Sequence, residues 1–189
     1  MSAPQGSASL LSLEPLLDAV REGVEQAGWT LSGLQKTTSH EFSGAWAGES
    51  TRSAYLFFHR DDLPESVGVE AFLDETSQGL RGNLSIVLDG PSLGRVGSAA
   101  AVLERLVRAS GETLAASYRT PVALRLTHER RGAPLEEAGV EVRIKLIIPP
   151  AAVEAGADAV SSLAAYTVGA FESLLERPEF AELLPPVVD

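Results

Sequence analysis

The stretch Val140-Glu-Val-Arg-Ile-Lys-Leu-Ile-Ile-Pro-Pro150 decides how the chain is read. Val140, Val142, Ile144, Leu146 and Ile148 recur at a period of two, with Glu141, Arg143 and Lys145 between them. That pattern turns one side of a strand toward a core and the other toward water. Pro149-Pro150 then stops the strand and supplies the fixed φ that opens a helix. Upstream, after Pro121, Val122, Leu124 and Leu126 repeat the period, so the two segments form a hairpin through the long loop Glu129 to Gly139. Downstream, a helix of about 26 residues is predicted over Ala151 to Glu176, roughly 39 Å long. Its inner stripe is Val153, Ala157, Val160, Ala164, Phe171, Leu174 and Leu175. A strand pair with one apolar side needs such a helix as cover, which points to an α+β layering.

The same reading extends toward the N-terminus. Met1 to Ser9 is small and polar and is expected to form a flexible tail, with one domain over 10–182 and a second tail over 183–189. Leu13, Leu16, Leu17, Val20, Val24 and Ala27 recur at helical spacing behind Ser12, a predicted cap, and Gly28 marks the stop. From Trp29 to Asp89 the period shortens and a meander of four strand segments is predicted. The first runs from Thr30 to Trp46. After a turn at Ala47 to Thr51, Ser53 to His59 follows, then Val67 to Leu73, and, after the turn-rich Asp74 to Gly82, Leu84 to Leu88. A second helix is predicted over Val96 to Ser117, with Ala99, Leu103, Leu106, Val107, Ser110 and Leu114 inward and Glu104 paired with Arg108 on the other side. The expected fold is therefore an antiparallel sheet of five to six strands with three helices on one face, in the order helix, meander, helix, hairpin, helix.

The chain has 189 residues, no cysteine and 44% hydrophobic content, with 15 basic against 26 acidic side chains. One domain is expected at that length. The lack of cysteine excludes disulfides, thiolate catalysis and thiolate metal sites. A net charge of -11 and a pI of 4.7 disfavour direct nucleic-acid or anionic-membrane binding and favour basic partners, including proteins that handle DNA. The charge is unevenly spread. Residues 1–75 carry 4 basic and 12 acidic groups, residues 76–149 carry 10 and 7, and residues 150–189 carry 1 and 7. No basic leader precedes the first apolar run, and the uncharged stretch Ala159 to Phe171 is too short to span a bilayer, so a cytoplasmic protein is expected.

Motifs that carry chemistry are sparse. His40, His59 and His128 have no metal-ligand spacing, although His40 and His59 lie on strands that could pair. Asp61-Asp62 and Asp74-Glu75 fall where turns are expected, as turn residues or as a weak hard-cation site. No nucleophile elbow is present. The Gly-rich run Gly90 to Gly97 lacks the Lys-Ser/Thr of a phosphate loop, leaving at most an anion at the following helix start. No catalytic residue, metal or cofactor is expected. Arg125, Arg143 and Lys145, with Arg130 and Arg131 in the loop, form a basic strip that offers a weaker nucleic-acid alternative.

The segment Tyr55-Leu-Phe-Phe58 has apolar residues on both faces, with Trp46 and Phe72 nearby. It is either a central strand buried between layers or a surface left for another chain, in which case Trp46, Tyr55, Phe57 and Phe72 are the candidate protein-binding residues. A pocket between the sheet and the last helix, lined by Trp29, Trp46 or Tyr166, is a small-molecule alternative.

The order of elements over about residues 10–176, with the small size and low pI, resembles the fold of the type III secretion chaperones and the YbjN family. The likeness lies in topology, and the meander carries one strand more than that pattern, which leaves a helix-grip or cystatin-like sheet as another reading. The resemblance implies a non-catalytic homodimer that binds a partner protein. It also implies that the second helix and the late hairpin build the dimer, through Leu103, Leu106, Val107, Val142 and Ile144.

Overall fold

A computed structural model describes residues 12–43, 45–90, 98–128, 131–132, 134 and 138–184, and for residues 39–51 the backbone alone. Six strands form one antiparallel sheet: β1 (Thr30–Ser43), β2 (Ala45–His59), β3 (Val67–Thr76), β4 (Gly79–Gly90), β5 (Val122–Thr127) and β6 (Gly139–Ile147). Their spatial order is β1-β2-β3-β4-β6-β5, so β6 inserts between β4 and β5 and the edges are β1 and β5. The helices are α1 (Leu13–Gln26), α2 (Ala99–Thr113), α3 (Pro150–Ala155), α4 (Ala157–Leu175) and the short α5 (Pro178–Ala181).

Strand pleat explains the layering. One row across the sheet runs Leu56, Ala71, Leu84, Leu146, and the next row on the same side runs Phe58, Val69, Ile86, Ile144. All of these are buried. The apolar stripes of α1 and α4 complete this core, with Leu16, Val20, Val24, Val160, Ala164, Val168 and Phe171 at or near zero exposure. α1 and α4 approach so closely at Gly23 that a Cβ there would lie 2.2 Å from the Ser161 carbonyl oxygen. Phe180 of α5 is fully buried, and Arg177–Glu112 and Arg105–Glu182 ion pairs tie the C-terminal turns to α2.

Several expectations are corrected. The long last helix is two helices, because Gly156 takes φ +102 and ψ -171, a conformation open only to glycine. Its N–H closes α3 on Ala152 and Val153, and its carbonyl accepts from Val160 to open α4. Ala47 to Thr51, expected as a turn, are strand, and the β1–β2 pairing runs on to Ser43 opposite Ala45. Asp74 and Glu75 lie on β3, whose hairpin to β4 turns over Ser77 and Gln78. α2 is shorter than read, and its buried face is Val102, Leu106, Ala109 and Ser110; Val107 is turned to solvent. Ser12 precedes α1 without capping it; the Leu13 N–H instead donates to Glu75 Oε2 of β3 at 2.8 Å. Packed residues continue to Leu183, 3% exposed. The loop 91–97, the loop residue Arg130 and residues 1–9 and 185–189 lie outside the described residues.

Candidate functional site

The second face of the sheet carries no helix among the described residues. Its side chains fall in rows set by the register: Gln35, Tyr55, Phe72, Asn83, Ile147 in one, and Gly33, Phe57, Glu70, Ser85, Lys145 in the next. Tyr55 and Phe57 remain 40% and 37% exposed, although the inner side of the same strand is sealed. The Tyr55 and Phe72 rings lie 4.8 Å apart at 44°, a tilted pair. Gly33 stands opposite Phe57 and leaves room for its ring, since a Cβ there would come within 3.3 Å of Phe57 Cδ2. Three of the four aromatic residues singled out from sequence thus share this face or its border. The fourth, Trp46, lies outside the described side chains; its backbone pairs with Phe42 near the β1–β2 turn.

Beyond the aromatics the face becomes polar. Arg143 of β6 reaches Glu70 of β3 across the intervening β4, and also meets Glu141 at 3.6 Å. Arg125 meets Glu141 at 3.4 Å and is otherwise exposed. Asp74, nearly buried, accepts from Ser53 at 2.9 Å and from Arg81 Nε at 2.8 Å, so turn chemistry has no part in its role. Asp89, opposite Glu141, has its carboxyl pushed above the usual range, first by burial and then by Glu141 and Glu70. Lys145 has no carboxylate partner within 4.0 Å among the described residues. It lines a 220 Å³ concavity with Tyr55, Glu70, Ala71, Phe72, Asn83, Ser85 and Arg143, which shares Arg143 and Lys145 with a second one lined also by Arg125 and Glu141.

The other expected residues are placed as follows. Leu106, Val142 and Ile144 are fully buried within the one chain, whereas Val107 is 50% exposed and Leu103 half-buried. Trp29 is a core residue. Its indole N–H donates to Glu172 at 2.9 Å, Arg60 bridges Glu172 and Asp62, and the Arg60 guanidinium sits 5.9 Å from the ring centroid. Tyr166, 55% exposed, lines a 560 Å³ apolar cavity, but with Tyr118, α3 and Leu163 rather than between sheet and helix. His40 stands opposite Ser50, nine residues along β2 from His59, which at about 3.3 Å per residue is roughly 30 Å. The two histidines therefore form no cluster. His59 meets Asp61 at 3.3 Å instead. Among the described residues no group of three or more His, Cys, Asp or Glu is placed to hold a metal, and no helix is long and apolar enough to cross a membrane.

Comparison adds no family. No protein-family model, no characterised protein and no solved structure matches the chain.

Proposed function

We propose that this chain is a non-catalytic protein-binding module, and that its open sheet face around Tyr55, Phe57 and Phe72 receives a partner chain. The observation that carries the reading is the exposure of two aromatic side chains on a face that no helix covers among the described residues, on a strand whose other side is fully packed. Aromatic residues at such positions add nothing to the core and supply the contact area that binding surfaces favour. The resemblance to secretion chaperones and YbjN proteins supports the same class, and with it a homodimer in the cytoplasm. Of the residues expected at a dimer contact, Val107 and Leu103 on α2 have accessible side chains. Edge strand β1 adds a second surface, with backbone groups along its outer side that no strand of this sheet pairs.

The test is a photo-crosslinking residue in place of Phe57. Partner adducts should form, and should be lost when Tyr55→Ala is added. Adducts indifferent to Tyr55 would refute the role of the face. A solution mass of one chain at high concentration would remove the dimer.

A small-molecule reading has one observation of its own, the apolar cavity beside Tyr118 and Tyr166. Its volume falls within the roughly 300–1,000 Å³ of small-ligand sites. A ligand screen that raises the unfolding midpoint of the native chain, and not of Tyr166→Ala, would favour it.

A further inference from the structure

We infer that the concavity over β3, β4 and β6 is a pocket for the C-terminal residue of a partner chain, its carboxylate on Lys145 and its apolar side chain on Tyr55 and Phe72. This rests on the reading of the open face as a protein-binding surface and gives that surface a chemistry. Three observations lead to it.

The first is charge. The basic groups of the face are Arg81, Arg125, Arg143 and Lys145, and three of them are already engaged: Arg81 by Asp74, Arg125 by Glu141, and Arg143 by Glu70 and Glu141. Lys145 is the exception among the described residues. A half-buried lysine whose ammonium has no carboxylate partner among the described residues, beside Arg143, favours an anion, and a carboxylate can satisfy it with a charge-assisted hydrogen bond. The chain is acidic as a whole, yet this spot selects the opposite sign from the one its net charge suggests.

The second is size. At 220 Å³ the pocket falls below the roughly 300 Å³ at which small-ligand sites begin. It is scaled to one residue of a larger partner. Within a peptide, only the chain end puts a carboxylate and a side chain on the same carbon; an internal acidic residue beside an aromatic one brings two side chains and the backbone joining them.

The third is the wall. Phe72 and Tyr55 form a tilted aromatic pair on one side, and Asn83 supplies a polar group next to Lys145 above the buried Ser85; Glu70 also lines the pocket, but its carboxylate is already held by Arg143. The Ser85 hydroxyl lies 3.3 Å from Asn83 Oδ1, which fixes the amide and leaves its NH2 to donate. An apolar wall facing a donor set suits a residue that is apolar at one end and anionic at the other.

The probe is N-acetyl-phenylalanine, compared with its C-terminal amide and with N-acetyl-Asp-Phe-amide, titrated into the native chain and followed by NMR. Lys145 and Lys36 are the only lysines, and Lys36 is engaged by Glu14, so their ε-methylene signals can be told apart by substitution. N-acetyl-phenylalanine should bind saturably and shift the Lys145 and Tyr55 signals. Lys145→Met should lower the affinity about tenfold or more, the loss expected for one charge-assisted hydrogen bond, with an unchanged unfolding midpoint showing that the fold is intact. Phe72→Leu should weaken binding without abolishing the preference for the acid. Equal binding of the amide, tighter binding of the Asp-Phe amide, or full binding by Lys145→Met would overturn the assignment. A displayed library of random peptides separates this inference from the broader one. Peptides that bind through Tyr55 and Phe57 without needing a free C-terminus would refute the carboxylate pocket and keep the face as a binding surface; a library yielding none dependent on either residue would refute both.

Discussion

Gly23→Ala tests the seam between α1 and α4, where a glycine lets the two helices approach. Two effects oppose each other at this position. Removing a glycine from the middle of α1 favours the helix by about 1 kcal/mol. Against that, the new methyl carbon would lie 2.2 Å from the Ser161 carbonyl oxygen and 2.8 Å from Ala164 Cβ. Reaching even a tight 3.0 Å separation from that oxygen requires α1 and α4 to part by about 0.8 Å. A gap of that size forfeits a quarter to a half of the attraction of each contact along the seam. The blocking atom is backbone, so no rotamer change relieves it, and the overpacking cost sits near the top of its usual range, about 3 kcal/mol. The net destabilisation is about 2 kcal/mol, or about 4–8 °C in Tm for a chain of this length. Gly169→Ala is the matched control, since it lies inside α4 where a Cβ meets nothing within 4 Å. It should raise stability by about 0.5–1 kcal/mol. Thermal and urea unfolding of the two variants should therefore move in opposite directions. If Gly23→Ala is as stable as the parent, or shifts the same way as Gly169→Ala, the helix seam is not where the structure places it.

Three further outcomes follow from side chains in contact. Asp89 titrates above its ordinary value of 3.8, so its contribution to stability is full below that pH and is lost as pH rises through the raised value. Asp89→Asn should stabilise the chain at pH 7, with the gain vanishing below pH 3.8, as read by unfolding midpoints across that range; a gain independent of pH refutes the electrostatic cause. Glu75→Ala removes the acceptor for the first N–H of α1 and should cost about 1 kcal/mol, with hydrogen exchange accelerated at that end of the helix; unchanged exchange there would refute the cap. Glu172→Ala leaves the indole N–H of the buried Trp29 without its partner and should cost about 1–3 kcal/mol by chemical denaturation, and a loss under 0.5 kcal/mol would show that the bond contributes little.

Regular patterns made much of the fold legible in sequence. The alternation from Val140 to Ile148, in the hairpin partner Val122 to Leu126 and in Val67 to Leu73 identifies strands because a half-buried strand imposes a period of two; Leu84 to Leu88 alternates in sequence as well, although the central strand it forms is buried on both sides. The stripe of α1 is equally direct. What escaped depends on single backbone angles or on distant partners. Gly156 sits in an otherwise helix-favouring run, and only its φ reveals that it ends one helix and starts another. Glu75 caps a helix 62 residues away, a pairing that no local capping pattern contains. The shared helical stripe of Leu103, Leu106 and Val107 predicts Val107 inward, but the buried face of α2 runs through Val102, Leu106 and Ala109. The open face was half legible. Tyr55 and Phe57 oppose Leu56 and Phe58 in the sequence pattern, while the lack of a covering helix on their side among the described residues, and the ion pairs that leave Lys145 apart, appear only once six strands are in register.

The strand order also dictates a sequence of events during synthesis. β1 to β4 are joined by short hairpins and can pair as soon as each emerges, whereas β6 reaches β4 only across the span separating Gly90 from Val140 at its nearest pair. The partner of α1 lies further on still, in residues 157–175. A growing chain therefore holds a finished four-strand meander whose inner face has only α1 as cover until α4 is made, which is the interval when self-association between nascent copies competes most strongly with folding.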